Sequence, residues 1–202
     1  MTTSFQPSLE NQLSEYIYDM GIPGLYYVKH KKFADNRGFY AELNRIPELE
    51  QLTKTSFNIQ QMNLSYSEAN VIRGFHAEDW NKLLSIIDGT IFGAWVDIRP
   101  DSNTFGNVVT ALVGLDESAL FGSVYVSNGI ANSFCVTHGP VNYLYAVDAL
   151  YAERDVSKDV ALSLFDPDLA INWPISREHC LVSQRDLDSK TMRELFPQKY
   201  AV

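Results

Sequence analysis

From Leu25 to Phe165 the chain is a succession of short runs of β-type composition closed by turn residues, and this pattern limits its fold more than any other feature. The runs read LYYVKH, SFNIQQMNLS, KLLSIID, IFGAWVDIR, NVVTALVGL, SVYVS, VNYLYAV and DVALSLF. Asp88-Gly89, Arg99-Pro100-Asp101, Ser127-Asn128-Gly129 and His138-Gly139-Pro140 punctuate them. Many short strands at this spacing predict an all-β sandwich or barrel, and a jelly roll is the version that encloses a small-molecule pocket. With 202 residues, 46% of them hydrophobic, the chain can bury one good core, so a single domain over 1–202 is expected. Its expected parts are an N-terminal extension (1–22), a jelly-roll core (23–175) and a C-terminal segment (176–202).

Helical signals stand only at the two ends. Leu9, Leu13 and Ile17 are spaced as on one helix face after Pro7-Ser8, which predicts a short amphipathic helix from Ser8 to Met20. Near the other end, Asp188 or Ser189 is expected to cap a helix running to Phe196, with Pro197 stopping it.

Strand parity indicates which polar side chains share a face. Phe57, Ile59, Gln61 and Asn63 alternate onto one side of their run, and Tyr143 and Tyr145 onto one side of theirs. An inward face that changes from apolar to polar along its strands makes the floor and mouth of a pocket.

The formal charge of -9 argues against a nucleic-acid partner, since no Lys/Arg block is present to neutralise phosphates. A small anion can still be held by a few placed cations. The first residues, MTTSFQPSLENQ, lack a basic and apolar leader, and no run of about 18 apolar residues occurs, so a cytoplasmic protein with no membrane partner is expected. Cys135 and Cys180 lack metal-ligand spacing and read as packed thiols.

The segment Asn70 to Lys82, NVIRGFHAEDWNK, carries the most chemistry. Arg73, His76 and Lys82 flank a glycine there, and one imidazole beside two fixed cations suits holding an anion and removing a proton. Taken alone, His76 reads more readily as a satisfied structural residue. His30 in VKHKK reads as surface, and neither His138 in its turn nor His179 has a partner pattern. Metal-binding barrels of this type present two histidines one residue apart, whereas His76 is followed by Ala77 and Glu78, so no metal site is expected.

Further blocks then appear in order: ADNRGFY (Ala34 to Tyr40) with Glu42, QMNLSYSEANVIRGFH (Gln61 to His76), NKL (Asn81 to Leu83), VDIRPDSNTFG (Val96 to Gly106), YLYAVDALY (Tyr143 to Tyr151), DPDLAINWP (Asp166 to Pro174) and VSQRD (Val182 to Asp186). Together they resemble the dTDP-4-dehydrorhamnose 3,5-epimerase family over Gly24 to Asp186. The resemblance implies a homodimeric cupin jelly roll, free of metal and cofactor, acting on a nucleotide-linked 4-keto-6-deoxyhexose. It implies His76 as base, Asp186 as the residue that orients it, and Tyr145 as the acid on the opposite face. Arg73 and Lys82 would contact substrate, as would Arg185. Arg37, Glu42, Gln61 and Asn63 would recognise the nucleotide, with Tyr151 stacking on its base.

The chain departs from the family pattern at two places. Where typical members read GFAHGF, this chain reads GIANSF, so Asn132 replaces a histidine; it can hydrogen-bond a sugar oxygen but carries no proton. The loop from His76 to Lys82 is also shorter than usual. Inversion at C3, at C5 or at both therefore stays open, as do a related keto-isomerase and a catalytically silent nucleotide-sugar-binding cupin subunit.

Overall fold

The computed structural model describes residues 1–200. Its strands are β1 (Thr2–Ser4), β2 (Ile17–Asp19), β3 (Leu25–Lys29), β4 (Lys31–Asp35), β5 (Gly38–Glu42), β6 (Gln61–Ser67), β7 (Ile72–Ala77), β8 (Lys82–Asp97), β9 (Val108–Gly114), β10 (Gly122–Val126), β11 (Ile130–Val147) and β12 (Val160–Ala161). Helix α1 (Ile46–Thr53) interrupts them, and α2 (Gln184–Leu187), α3 (Met192–Leu195) and α4 (Pro197–Tyr200) follow.

Two long antiparallel strands organise the architecture. β8 and β11 pair along their whole length, and their register breaks where Asp88-Gly89 faces His138-Gly139-Pro140. The halves on either side of that break take different neighbours. Lys82–Ser85 of β8 pairs with β10, which continues to β3 and β2, while Val141–Val147 of β11 pairs with β6. On the far side, Thr90–Val96 pairs with β9 and Ile72 to His76 of β7 pairs with Cys135 to Asn132, β7 being flanked by β12. Two facing sheets result, and this is a jelly roll.

The interior between the sheets is built from alternate residues of both. Leu25, Tyr27, Leu84, Ile86, Val124, Val126 and Tyr143 of one sheet meet Ile91, Trp95, Val109, Ala111, Ile130, Phe134 and Val136 of the other. A second cluster covers the outside of the β7 sheet, where Leu162, Leu164 and Leu169, which follow β12, and Met192 of α3 close over Phe75, Ala94, Val96 and Cys135. Burial pushes the Cys135 thiol up to about 12. On the outside of the other sheet, Leu49 of α1 and Phe57 cover Leu83, Tyr125 and Ala146.

Several expectations are corrected here. No helix covers Ser8–Met20: Leu9 and Leu13 are exposed, and Ile17 is buried because it pairs across to Val28 in the sheet. The helical spacing is coincidental, since only one of the three apolar residues is buried. The terminal helix is not capped by Asp188 or Ser189. Ser183 caps α2, and Thr191 with Glu194 forms a reciprocal capping box on α3, while Pro197 opens α4. Helix α1 was not anticipated, although Pro47 near its start and acidic Glu48 in its first turn are ordinary start signals. His30 is not on the surface. It continues the Tyr26, Val28 face, is 4% exposed and shares a 2.7 Å hydrogen bond between Nε2 and Ser123 Oγ. His138 has a partner after all, with Nδ1 2.8 Å from Asp116 Oδ1.

Candidate active site

A small cavity opens at one end of the sandwich, lined by His76, Glu78, Trp80, Lys82, Val126, Ser127, Ile130 and Asn132. Asn132 on β11 sits between His76 on β7 and Trp95 on β8. Between these positions β7 spends three residues, Arg73 to His76, while β11 advances only from Phe134 to Asn132. One extra residue therefore stands in β7, and such a bulge returns Arg73 and His76 to the same face although they are three apart. Gly74 makes the bulge sterically feasible: its φ is +116°, and a Cβ there would lie 2.6 Å from the Asn132 carbonyl oxygen.

His76 is held from behind. Its Nε2 lies 2.8 Å from Asp186 Oδ1, and the other carboxylate oxygen accepts the Gly74 N–H at 3.3 Å. Asp186 is 4% exposed and sits in α2, where its own N–H donates to Ser183 Oγ. Burial alone would push this carboxyl up, but the hydrogen bonds from His76, Gly74 and Ser183 outweigh it and hold it below the usual carboxylate range. An ionised carboxylate only accepts, so it fixes the proton on Nε2 and leaves Nδ1 as the basic nitrogen.

Lys82 opens β8 on the inward face of the opposite sheet and reaches across to the His76 side. Its Nζ donates to Asn132 Oδ1 and to Glu78 Oε2, both at 3.1 Å, and stands 5.1 Å from the centre of the Tyr145 ring. Tyr145 is half-buried, with its ring 5.8 Å from that of Tyr143, and it pairs across to Asn63. Burial, then the Glu78 charge, raise the Tyr145 hydroxyl above its ordinary value, so it remains protonated at neutral pH.

The mouth is more polar. Gln61 Nε2 donates to Asn63 Oδ1 at 2.6 Å while Gln61 Oε1 accepts the Tyr151 N–H at 2.9 Å. The ring of Tyr151 is exposed, 6.3 Å from that of Trp80, with the Arg154 guanidinium 3.9 Å from its centre. Arg73 is exposed, its Nε donating to Ser67 Oγ at 2.9 Å.

Of the residues singled out in the sequence, His76, Asp186, Lys82, Asn132, Tyr145, Asn63, Gln61, Tyr151 and Arg73 thus surround one end of the sandwich. Arg37 and Glu42 are not brought there. They lie on the exposed β4–β5 hairpin, paired with Asp35 and Arg45, because the hairpin bonds only to itself and leaves the sheets. Arg185 precedes Asp186 on α2 but is exposed, since the helix turns Asp186 inward instead. Sequence reasoning missed Glu78, Trp80 and Arg154 as site residues; the acid–lysine spacing of Glu78 and Lys82 was the available signal. Among the described residues, no group of three or more His, Cys, Asp or Glu side chains is arranged to hold a metal ion.

The dTDP-4-dehydrorhamnose 3,5-epimerase family model matches residues 19–194. The chain belongs to this family. It is 32% identical over 186 residues to a protein of Streptococcus pyogenes serotype M6 named as an RmlC homolog, covering 88% of this chain and 89% of the relative. It is 29% identical to the dTDP-4-dehydrorhamnose 3-epimerase of Streptomyces niveus, covering 87% and 83%. Among solved structures, a Legionella pneumophila epimerase in complex with dTDP-4-keto-L-rhamnose superposes with a TM-score of 0.79 at 28% identity, covering 90% of this chain and 95% of that one. As a member of this family the chain is an isomerase of the nucleotide-sugar epimerase type. No helix of the described residues is long and apolar enough to cross a membrane.

Proposed function

We propose that the chain inverts C3, C5 or both in a dTDP-linked 4-keto-6-deoxyhexose, with His76 as base and Tyr145 as acid. The observation that carries this reading is the His76–Asp186 hydrogen bond behind a cavity that Lys82 also lines. Nδ1 of His76 takes the hydrogen from the carbon beside the ketone. Charge then grows on the keto oxygen, where the Lys82 ammonium stabilises it. Tyr145 returns a proton from the other face, because a base that returned its own proton would restore the starting configuration. Arg73 offers charge to the diphosphate, and Tyr151, Gln61 and Asn63 line the route to the nucleotide. Inversion at a single carbon is the second reading, supported by Asn132, whose amide carries no proton, and by the Streptomyces niveus relative, named as a 3-epimerase.

A homodimer belongs to the same proposal. Met62, Leu64, Tyr66 and Ile87 form an exposed apolar stripe on the outside of one sheet, and Phe33, Phe39 and Tyr40 are exposed on the hairpin of Arg37 and Glu42. A second copy laid against these surfaces would remove apolar area from water, and would let the hairpin residues serve a neighbouring site. A single-domain cytoplasmic enzyme, working where activated sugars are made, completes the reading.

Incubation with dTDP-4-keto-6-deoxyglucose in heavy water, followed by NMR, tests the activity. Deuterium at C3, C5 or both, with the inverted configuration, is expected. A shifted carbonyl would instead indicate a keto-isomerase, and binding with no exchange a silent cupin.

A further inference from the structure

The short loop between β7 and β8 places a carboxylate in the cavity wall. Glu78 follows His76 by two residues, and its side chain is 19% exposed beside a Lys82 side chain that is 9% exposed. An ammonium buried to this extent needs an opposite charge, and among the described residues Glu78 is the carboxylate paired with it. Burial by itself would raise the Glu78 carboxyl, yet the charge and hydrogen bond of Lys82, with His76 and Arg154 nearby, keep it below its ordinary value and ionised.

The loop that carries Glu78 is fixed at several points. Asn81 donates its backbone N–H and its side-chain amide to Asp148 at 2.8 and 2.6 Å. Asn128 bonds both Asn81 and Asp79, and Lys158 reaches Asp79 at 3.0 Å. Trp80 is 5% exposed within the same loop. Glu78 is therefore presented by a rigid turn.

We propose that Glu78 is a positioning residue for Lys82, clamping its ammonium together with Asn132 so that one N–H is left for the keto oxygen of the substrate. An ammonium has three protons. Two are committed, to Glu78 Oε2 and Asn132 Oδ1, each at 3.1 Å. The third is left to the cavity, which Lys82 lines. Held from two directions, the ammonium meets the developing oxyanion without reorganising, which is the condition under which such a charge accelerates a reaction most. Without Glu78 the flexible four-carbon stem would have to be ordered in each turnover.

This inference rests on the epimerase reading, and a double-mutant cycle separates the two. The full chain is compared as wild type, Glu78→Gln, Lys82→Met and the double variant, reading deuterium wash-in from dTDP-4-keto-6-deoxyglucose as kcat and KM, and dTDP affinity by calorimetry. Glu78→Gln is expected to lower kcat for exchange roughly 10–100-fold, the scale of one hydrogen bond to a charged group, with dTDP affinity unchanged. The double variant should be no slower than Lys82→Met, because a residue that acts through Lys82 has nothing left to do once Lys82 is gone. Glu78→Asp, which keeps the charge on a shorter arm, should recover part of the loss, and it takes the place of the glutamine variant in the cycle if that variant fails to fold. Exchange by Glu78→Gln within twofold of wild type, or losses that multiply in the double variant, would overturn the proposal. A wild-type chain that exchanges nothing strikes the epimerase reading itself and brings this inference down with it.

Discussion

His76 and Asp186 are 110 residues apart in sequence and 2.8 Å apart in space, the imidazole on a bulged strand and the carboxylate buried in a one-turn helix packed behind it. The helix is fixed by its Ser183 cap, and the strand by Gly74, so the pair is set by backbone geometry from both sides.

Replacing Asp186 with Asn keeps a side chain of the same size but lets the imidazole take either tautomer. Activity should fall by roughly the 10²–10⁴-fold typical of general acid–base catalysis, with far-UV circular dichroism unchanged. Steady-state kinetics on the folded variant decides this; near-normal kcat would mean that the tautomer is not set by Asp186.

Tyr145→Phe removes a hydroxyl while keeping the ring beside Lys82 and Tyr143. The base still forms the enolate, so deuterium should enter the substrate faster than inverted product appears. An unchanged ratio of exchange to inversion would place the acid elsewhere, with Tyr143 next in line.

Asn132→His restores the family's usual side chain at a position that is 8% exposed and holds Lys82. The variant should fold and should change the ratio of deuterium at C3 to that at C5 in the NMR spectrum. Equal ratios would show that Asn132 does not govern which carbon reacts.

Gly74→Ala puts a Cβ against the Asn132 carbonyl at a φ of +116°. A loss of about 2 kcal/mol or more in urea unfolding is expected, together with lost activity, because the bulge that aims His76 is the part displaced.

Acid sensitivity has a source away from the site. Burial lowers His30 to about 4, against about 6.5 for an unfolded histidine. The unfolded chain therefore binds this proton first, so the contribution is complete above about pH 6.5 and is lost as pH falls towards 4, by about 3 kcal/mol in all. Thermal melts of wild type and His30→Gln across that window should converge or cross as pH falls.

The strands were legible because each buried face repeats every second residue, as Tyr143 and Tyr145 do, and because turn residues separate the runs. The join of KLLSIID to IFGAWVDIR as one bent strand was not, since Asp88-Gly89 reads as a chain reversal although it marks the passage from one sheet to the other. Ile130–Val136 escaped notice as strand because Asn132 and Ser133 break its apolar pattern, and both are buried in the structure. His76 and Lys82 stood out as an imidazole beside cations in one short segment, whereas Asp186 was legible only through the family resemblance. Glu78 was not singled out, because a loop carboxylate four residues before a lysine looks the same whether the pair is solvated or sealed in a cavity wall.

The most direct measurement is deuterium wash-in from heavy water into dTDP-4-keto-6-deoxyglucose, followed by NMR for wild type and folded His76→Asn side by side. Wild type should label C3, C5 or both and release inverted sugar, while His76→Asn should do neither above roughly one-hundredth of that rate. Labelling by His76→Asn at the wild-type rate, or none by wild type with the nucleotide sugar bound, would contradict the account.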